Sequence, residues 1–391
     1  MSLWRDRNLH IVFAVTLMAV LGVSSVAPAL PRIGDVFGVS PARTGLVITV
    51  FTLPGVLLTP VLGVLADRIG RRRVIVPSLW LFAIAGVACA AAPGFWQLLV
   101  LRFLQGVGAA SLGALNLAVL GDLYEGRDRG AAMGMNMSVL SVGTAAYPGI
   151  GGALAELGWR WPFLLAVVAV PVALSVQCCL RNPEPSSGQT LRDYLGSVAR
   201  RVWRPPVGAS FTVSLITFIL LYGAVLTWFP LLLDRRLGLS PGMIGLYLTG
   251  SSAATGLWSM VSGRLAARVG ERRLIAVTFV LQAIALALIT VLHHPLALVI
   301  PVALYGSSMG LGMPSLMTIL AGLAPAEHRG AFLALNGTVL RLGQTLGPVL
   351  AGMVFAWRGL EAPFALGAVL AGLTLLVVIP FVPARAQSNQ D

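Results

Sequence analysis

Lysine is absent from this chain: all 27 of its basic side chains are arginines. Charge of either sign is scarce, at 10% of the residues against 57% hydrophobic ones. Cysteine is scarcer still. Cys89, Cys178 and Cys179 all lie in apolar runs, the last two adjacent, which suggests neither a disulfide framework nor a metal site. His10, His293, His294 and His328 fall at helix ends or in loops without ligand spacing, so no metal is expected. There is no nucleophile and base constellation and no nucleotide loop, which argues against an enzyme and against a cofactor. The most consequential gap concerns acids: no Asp, Glu or His lies near the middle of any long apolar run.

What remains is apolar chain. A mean hydropathy of +0.88 over 391 residues makes lipid the solvent for most of it. A membrane-crossing helix needs about 20 mostly apolar residues. Twelve such runs are present, at approximately 9–31, 42–65, 73–92, 96–120, 130–155, 161–180, 207–233, 241–265, 273–293, 296–322, 330–356 and 362–382. The first is too long for a signal peptide and lacks a small-residue cleavage site, so it is expected to stay as a helix. The net charge of +13 does not point to nucleic acid, because the arginines sit in short loops between apolar runs. With the N-terminus inside, nineteen arginines fall on the cytoplasmic side and six, Arg32, Arg43, Arg160, Arg235, Arg236 and Arg358, on the other. Both termini are therefore expected in the cytoplasm.

The longest polar stretch, residues 181–206, reads as a cytoplasmic linker with a short amphipathic helix around Leu191 to Val202. It separates an N-terminal six-helix bundle, residues 1–180, from a C-terminal one, residues 207–391. The two are related by a repeat at an offset of 200 residues. Gly63 to Arg73 recurs as Gly263 to Arg273, Arg129-Gly130-Ala131 as Arg329-Gly330-Ala331, Asn136 as Asn336, Gly143 as Gly343, and Pro148 as Pro348. Six helices plus six, each half starting inside, predict an all-α membrane protein with a pseudo-two-fold axis along the membrane normal and a binding cavity between the bundles.

Several motifs then resemble the major facilitator superfamily over nearly the whole chain. The loop after the second helix looks like the family's G-x-L-a-D-r-x-G-r-r-r, with Gly63, Asp67, Arg68, Gly70, Arg71, Arg72 and Arg73. Its second copy has Ala267 in place of the acid. The resemblance implies that Asp67 latches the outward-facing state; a basic loop that only sets topology is the alternative. Asp122 to Arg129 resembles the family's D-x-x-x-x-x-x-R segment, and Asp122 is expected to pair with the first-loop arginines. In the fourth helix, Arg102, Gln105, Gly106, Gly108, Ala109 and Ala110 resemble a second motif, which implies that Arg102 acts in proton transfer. An intramembrane arginine is a functional hypothesis in its own right, with snorkelling to the interface as its alternative. The fifth helix holds Gly143, Pro148, Gly151 and Gly152 in a pattern similar to the family's antiporter motif, with Tyr147 replacing one glycine; Gly347 and Pro348 belong to the more regular second copy. Leu21 to Pro31 resembles a pattern of twelve-span drug:proton antiporters.

Asp35 is the acid chosen to work with Arg102, a surface loop acid being its alternative. Asn116, Asn136, Tyr147, Tyr222, Trp228, Tyr305, Asn336, Arg341 and Gln344 are the candidates to line a cavity, although each alone also serves as packing glue. Arg341, placed early in the eleventh run, repeats the intramembrane-arginine argument. Apolar walls with few polar groups favour a lipophilic or amphipathic substrate. The resulting expectation is a monomeric inner-membrane secondary transporter, exporting hydrophobic or amphipathic small molecules in exchange for protons. Export of a sugar or other metabolite, uptake by symport, and a non-transporting membrane sensor are the alternatives.

Overall fold

The computed structural model describes residues 3–180, 205–323 and 329–384. The expected linker, apart from residues 205 and 206, lies outside the described residues, as do Arg385 and His328. The described chain is helical, in twelve rods: α1 (Arg7–Phe37), α2 (Pro41–Ile69), α3 (Arg71–Ala90), α4 (Phe95–Leu123), α5 (Gly126–Leu157), α6 (Trp161–Cys179), α7 (Pro205–Leu237), α8 (Pro241–Val269), α9 (Glu271–Val291), α10 (Pro295–Leu323), α11 (Arg329–Arg358) and α12 (Ala362–Phe381).

Ten of the rods contain a stretch long and apolar enough to cross a membrane, Leu335–Arg358 in the case of α11. The two that fall short are α5 and α8. Both are long enough, at 32 and 29 residues, but small residues replace large apolar ones, as in Ser251-Ser252-Ala253-Ala254-Thr255-Gly256 of α8. Small side chains lower hydropathy while letting neighbouring backbones come close. Their place in the bundle therefore rests on packing rather than on greasiness.

Several rods are interrupted where the sequence breaks helical bonding. α1 passes through a 3-10 turn at Ala27–Ala29, where Pro28 enters, and α4 breaks between Ala109 and Leu112. α7 unwinds into a π-helix over Leu221–Trp228. The motif glycines end the second helix of each half in a backbone conformation that L side chains rarely adopt: Gly70 has φ 101° and Gly270 φ 87°. The chain thus turns directly into α3 and α9.

The residues group into two compact units, Met1–Leu191 and Arg192–Asp391. In the first, α1 packs on α5, α4 on α2 and α3, and α6 on α3; in the second, α7 packs on α11, α10 on α8 and α9, and α12 on α9. These are the same pairings advanced by six helices. The repeat reaches individual contacts: a Cβ on Gly106 would collide with the Phe51 carbonyl, and one on Gly306 with the Ser251 carbonyl, both 200 residues on. Large apolar side chains are left exposed, among them Leu57, Trp96, Met260, Leu296, Trp357 and Leu376, all more than 60% exposed. Exposed apolar surface on this scale suits lipid rather than water.

Candidate functional site

At the arginine-rich end of the first unit, helix ends converge on a charged cluster. Arg71 opens α3 directly after the Gly70 turn, which aims its guanidinium across the end of α4. It pairs with Asp122 through Nε, with a second contact from Nη2 to Oδ1 at 3.3 Å, and its Nη2 lies 3.3 Å from Asp67 Oδ1. Arg129 turns back from α5 and donates to the carbonyls of Tyr124, at 3.0 Å, and Gly121. These are the carbonyls that α4 leaves unbonded at its C-terminus, where a cation also complements the helix dipole. The Tyr124 hydroxyl donates to Asp6 Oδ2 at 2.6 Å, while Asp6 caps α1 by accepting from the Asn8 amide. Burial, the hydrogen bond to Asp6 and the charge of that carboxylate raise the Tyr124 pKa, so the phenol stays protonated and keeps donating. Asp67, Arg71, Asp122, Arg129, Tyr124 and Asp6 thus tie the ends of α1, α2, α3, α4 and α5. In the second unit Ala267 and Glu271 stand where Asp67 and Arg71 stand, and Arg272, the counterpart of Arg72, donates to the Ile379 carbonyl at 3.2 Å.

Deeper in the first unit, Arg102 is fully enclosed, at 0% exposure. Its Nε donates to the Val47 carbonyl at 3.1 Å and its Nη1 to Gln105 Oε1 at 2.7 Å; the Phe51 ring lies 4.1 Å below the guanidinium and the Phe163 ring 5.8 Å away. The other terminal nitrogen, Nη2, is buried without a hydrogen-bond partner among the described residues. The expected carboxylate, Asp35, is not among these contacts; it is exposed near the C-terminus of α1. An arginine within a spanning helix is costly unless it is paired or reaches water. Here the charge is met by neutral oxygens and ring faces, and it does not snorkel.

Asn116 and Asn136 join through a residue that sequence reasoning passed over. The Thr16 hydroxyl donates to Asn136 Oδ1 at 2.6 Å, and Asn116 Nδ2 donates both to Thr16 Oγ1 and to the Val12 carbonyl, the latter at 3.0 Å. All three side chains are at most 5% exposed. They knit α1, α4 and α5 together. The repeat partner Asn336 has a different setting: its Nδ2 faces Met317 Sδ at 3.7 Å and its Oδ1 has no partner among the described residues.

The small-residue motifs lie where helices touch. In the first unit, Gly143 of α5 faces Leu17, and Gly151 lies against the Ser25 carbonyl so closely that no Cβ would fit. In the second, Gly343 and Gly347 of α11 press on Leu215, Ile219 and Gly223 of α7. Tyr147 and Val23 replace the Gly347 and Gly223 of that last contact. Trp228 and Tyr305 are buried, at 0% and 2% exposure, with Trp228 stacked on Phe355 at 4.5 Å. Tyr222 and Arg341 are half-buried, and the Arg341 Nη1 donates to Gln344 Oε1 at 3.1 Å. Two small cavities within the second unit, one beside Tyr247 and Tyr305 and one beside Thr278 and Met309, measure about 10 Å³ each. That is the scale of one water molecule, not of a substrate.

A family model described as Major Facilitator Superfamily matches residues 12–236 and again 232–391. The chain belongs to this superfamily. Among its relatives, Multidrug resistance protein 1 of Bacillus subtilis (strain 168) is 26% identical over 90% of each chain. Quinolone resistance protein NorA of Staphylococcus aureus (strain MRSA252) is 24% identical over 95% of this chain and 96% of its own. Of the solved structures, a D-xylose-proton symporter superposes with a TM-score of 0.78 at 16% identity, over 97% of this chain and 98% of that one. A bacterial homolog of the human lysosomal transporter Spinster gives 0.76 at 17%, over 97% and 95%. At those identities the structures share the fold alone. As a superfamily member the chain is a multi-pass membrane protein, and the family handles small molecules rather than transforming them.

Within this superfamily fold, sequence reasoning picked Arg102 and Gln105 together because a motif carries both. It missed Val47, Phe51 and Thr16, which approach from other helices and have no local signal. The i,i+3 spacing of Arg341 and Gln344 repeats that of Arg102 and Gln105, and this spacing was the available clue to their pairing.

Proposed function

We propose that this chain is a multidrug-type secondary transporter of the bacterial inner membrane, exporting hydrophobic or amphipathic small molecules in exchange for protons by alternating access. The observation that carries this reading is the fully enclosed Arg102, held by Val47, Gln105 and Phe51 with one nitrogen unpartnered, on a chain whose relatives are named for multidrug and quinolone resistance. A buried, incompletely paired cation changes the field around it whenever a helix or a ligand shifts, which makes proton affinity respond to conformation. Asp35 is the carboxylate offered for that response, on the same unit. The Asp67, Arg71 and Asp122 cluster is the latch in this scheme, present in one unit only. Both termini are assigned to the cytoplasm on the arginine bias of the loops.

The test is proton flux in proteoliposomes carrying a pH dye, under an imposed gradient, with lipophilic cations, lipophilic anions, neutral drugs and sugars added in turn. Substrate-dependent dissipation in the intact protein, lost in Arg102→Ala, is the expected result. Substrate movement with no proton flux would remove the coupling; no movement of any compound class would remove transport.

A further inference from the structure

We propose that Arg341, Gln344 and Tyr222 form an anion-recognition site in the C-terminal unit, and that the transported compounds are amphipathic anions carrying a sulfonate- or carboxylate-type head. The proposal rests on the transport reading above and narrows its substrate class.

Three observations carry it. The first is depth. α11 begins at Arg329, so Arg341 lies twelve residues in, about 18 Å along a rod of about 45 Å, near its middle. Yet every Asp and Glu of the sequence lies towards a helix end or outside the spans. The formal charges deep in the described spans are Arg102 and Arg341, both positive. An apolar site whose charges are all of one sign selects ligands of the other.

The second is openness. Arg102 is sealed, with ring faces and a carbonyl around it, whereas Arg341 is half-buried. Its Nη1 is held by Gln344 Oε1, while among the described residues its Nε and Nη2 have no hydrogen-bond partner and are not sealed from the surface. Two adjacent N–H donors on one edge of a guanidinium, steadied from the other side, form the fork that accepts two oxygens of one anion. Tyr222 stacks on Phe218, with centroids 5.8 Å apart at 17°, and Phe218 lies against Gly343, two residues beyond Arg341, where α7 packs on α11. Tyr222 offers a hydroxyl donor at the head of the site and ring surface for the tail of an amphipath.

The third is asymmetry between the repeats. At the 200-residue offset, Arg341, Gln344 and Tyr222 correspond to Ser141, Thr144 and Gly22, so the first unit has nothing equivalent. Conversely, Arg102 and Gln105 correspond to Val302 and Tyr305. Elsewhere the repeat preserves packing down to single glycine contacts, so a trio confined to one unit is a specialisation rather than part of the shared scaffold. Tyr222 also lies in the π-helical turn Leu221–Trp228, and the Thr227 hydroxyl bonds to the Tyr222 carbonyl at 2.7 Å. π-Helical turns are concentrated at functional sites.

The experiment uses matched aromatic probes of three charges, built on benzene, naphthalene and pyrene: the sulfonate, the sulfonamide and the methyl-trimethylammonium. Binding to the full chain in detergent is measured by calorimetry. The expected result is that sulfonates bind about tenfold or more tighter than sulfonamides and ammoniums of the same ring. Arg341→Ala removes that preference while leaving sulfonamide affinity within about twofold, and Arg341→Lys retains part of it. Should Arg341→Ala fail to fold, Gln344→Ala carries the test, with a selective loss of sulfonate affinity expected. Equal binding of the three charges, preference for ammoniums, or parallel loss of sulfonate and sulfonamide in the variants would overturn the anion site. If ammonium or neutral probes drive Arg102-dependent proton flux while sulfonates do not bind, the transporter reading stands and this inference falls. Sulfonate binding through Arg341 without movement of any probe would uphold the anion site and remove the transporter reading.

Discussion

Gly223 and Gly347 meet backbone to backbone: a Cβ on Gly347 would stand 2.7 Å from the Gly223 amide nitrogen, and one on Gly223 2.6 Å from the Gly347 carbonyl oxygen. Gly223 belongs to the π-helical turn of α7 and Gly347 precedes Pro348 in α11, so two irregular helices touch where both lack side chains. Gly347→Ala should destabilise the protein by about 1–3 kcal/mol, because neither backbone can give way cheaply. Gly337→Ala on the same helix meets nothing within 4 Å. It should leave stability unchanged or raise it by up to about 1 kcal/mol through helix propensity. Thermal unfolding in detergent separates the two, and equal shifts would mean that the backbones can part without cost.

A second prediction concerns the knot in the first unit. Thr16→Val keeps the shape of the side chain but removes the hydroxyl that joins Asn116 and Asn136. Asn136 Oδ1 then loses its donor at a buried position, at a cost of about 1–3 kcal/mol. Thr16→Ser keeps the hydroxyl and should recover most of the loss. An unfolding temperature that falls equally in both variants would assign the effect to the methyl group instead.

The difference between what the sequence disclosed and what it hid follows from the range of each interaction. All twelve helices and the pairing of the repeats were legible, because they depend on runs of apolar residues and on spacing within one segment. The approach of Arg71 to Asp122 was anticipated from a motif, though its geometry was not. The surroundings of Arg102 were not legible: Val47 and Phe51 arrive from α2 and Phe163 from α6, and nothing near residue 102 encodes them. Thr16 went unnoticed because a lone threonine in an apolar run carries no signal until Asn116 and Asn136 close on it.

The cluster at Arg71 yields a prediction in which stability and function separate. The Arg71 and Asp122 side chains are 18% and 33% exposed, and a pair this accessible contributes less than about 1 kcal/mol. Asp122→Asn should therefore barely move the unfolding temperature. If the cluster latches one state of the transport cycle, the same change should slow substrate-dependent proton flux several-fold, and an Arg71→Asp, Asp122→Arg exchange should restore part of the rate. Unaltered flux in Asp122→Asn would reduce the cluster to a topological signal.

Arg102 gives the strongest separation of the two. Its guanidinium is desolvated against neutral partners only, Val47, Gln105 and two phenylalanine rings, and one N–H group is left unpaired. Replacing a buried ionic group by a well-packed apolar side chain is often neutral or stabilising when no opposite charge is stranded. Arg102→Met combined with Gln105→Leu removes both halves of the side-chain contact and leaves only the Val47 carbonyl without its Arg102 donor, so the unfolding temperature should hold or rise. Arg102→Lys keeps the charge but cannot reach Val47 and Gln105 with a planar fork, so it should fold while losing substrate-dependent proton flux about tenfold or more. Both variants are read by thermal unfolding and by flux in proteoliposomes. A protein weakened by several kcal/mol in the double variant, with full flux in the lysine one, would make Arg102 a structural post that anchors α4 to α2, and the proton-coupling role would pass to another residue.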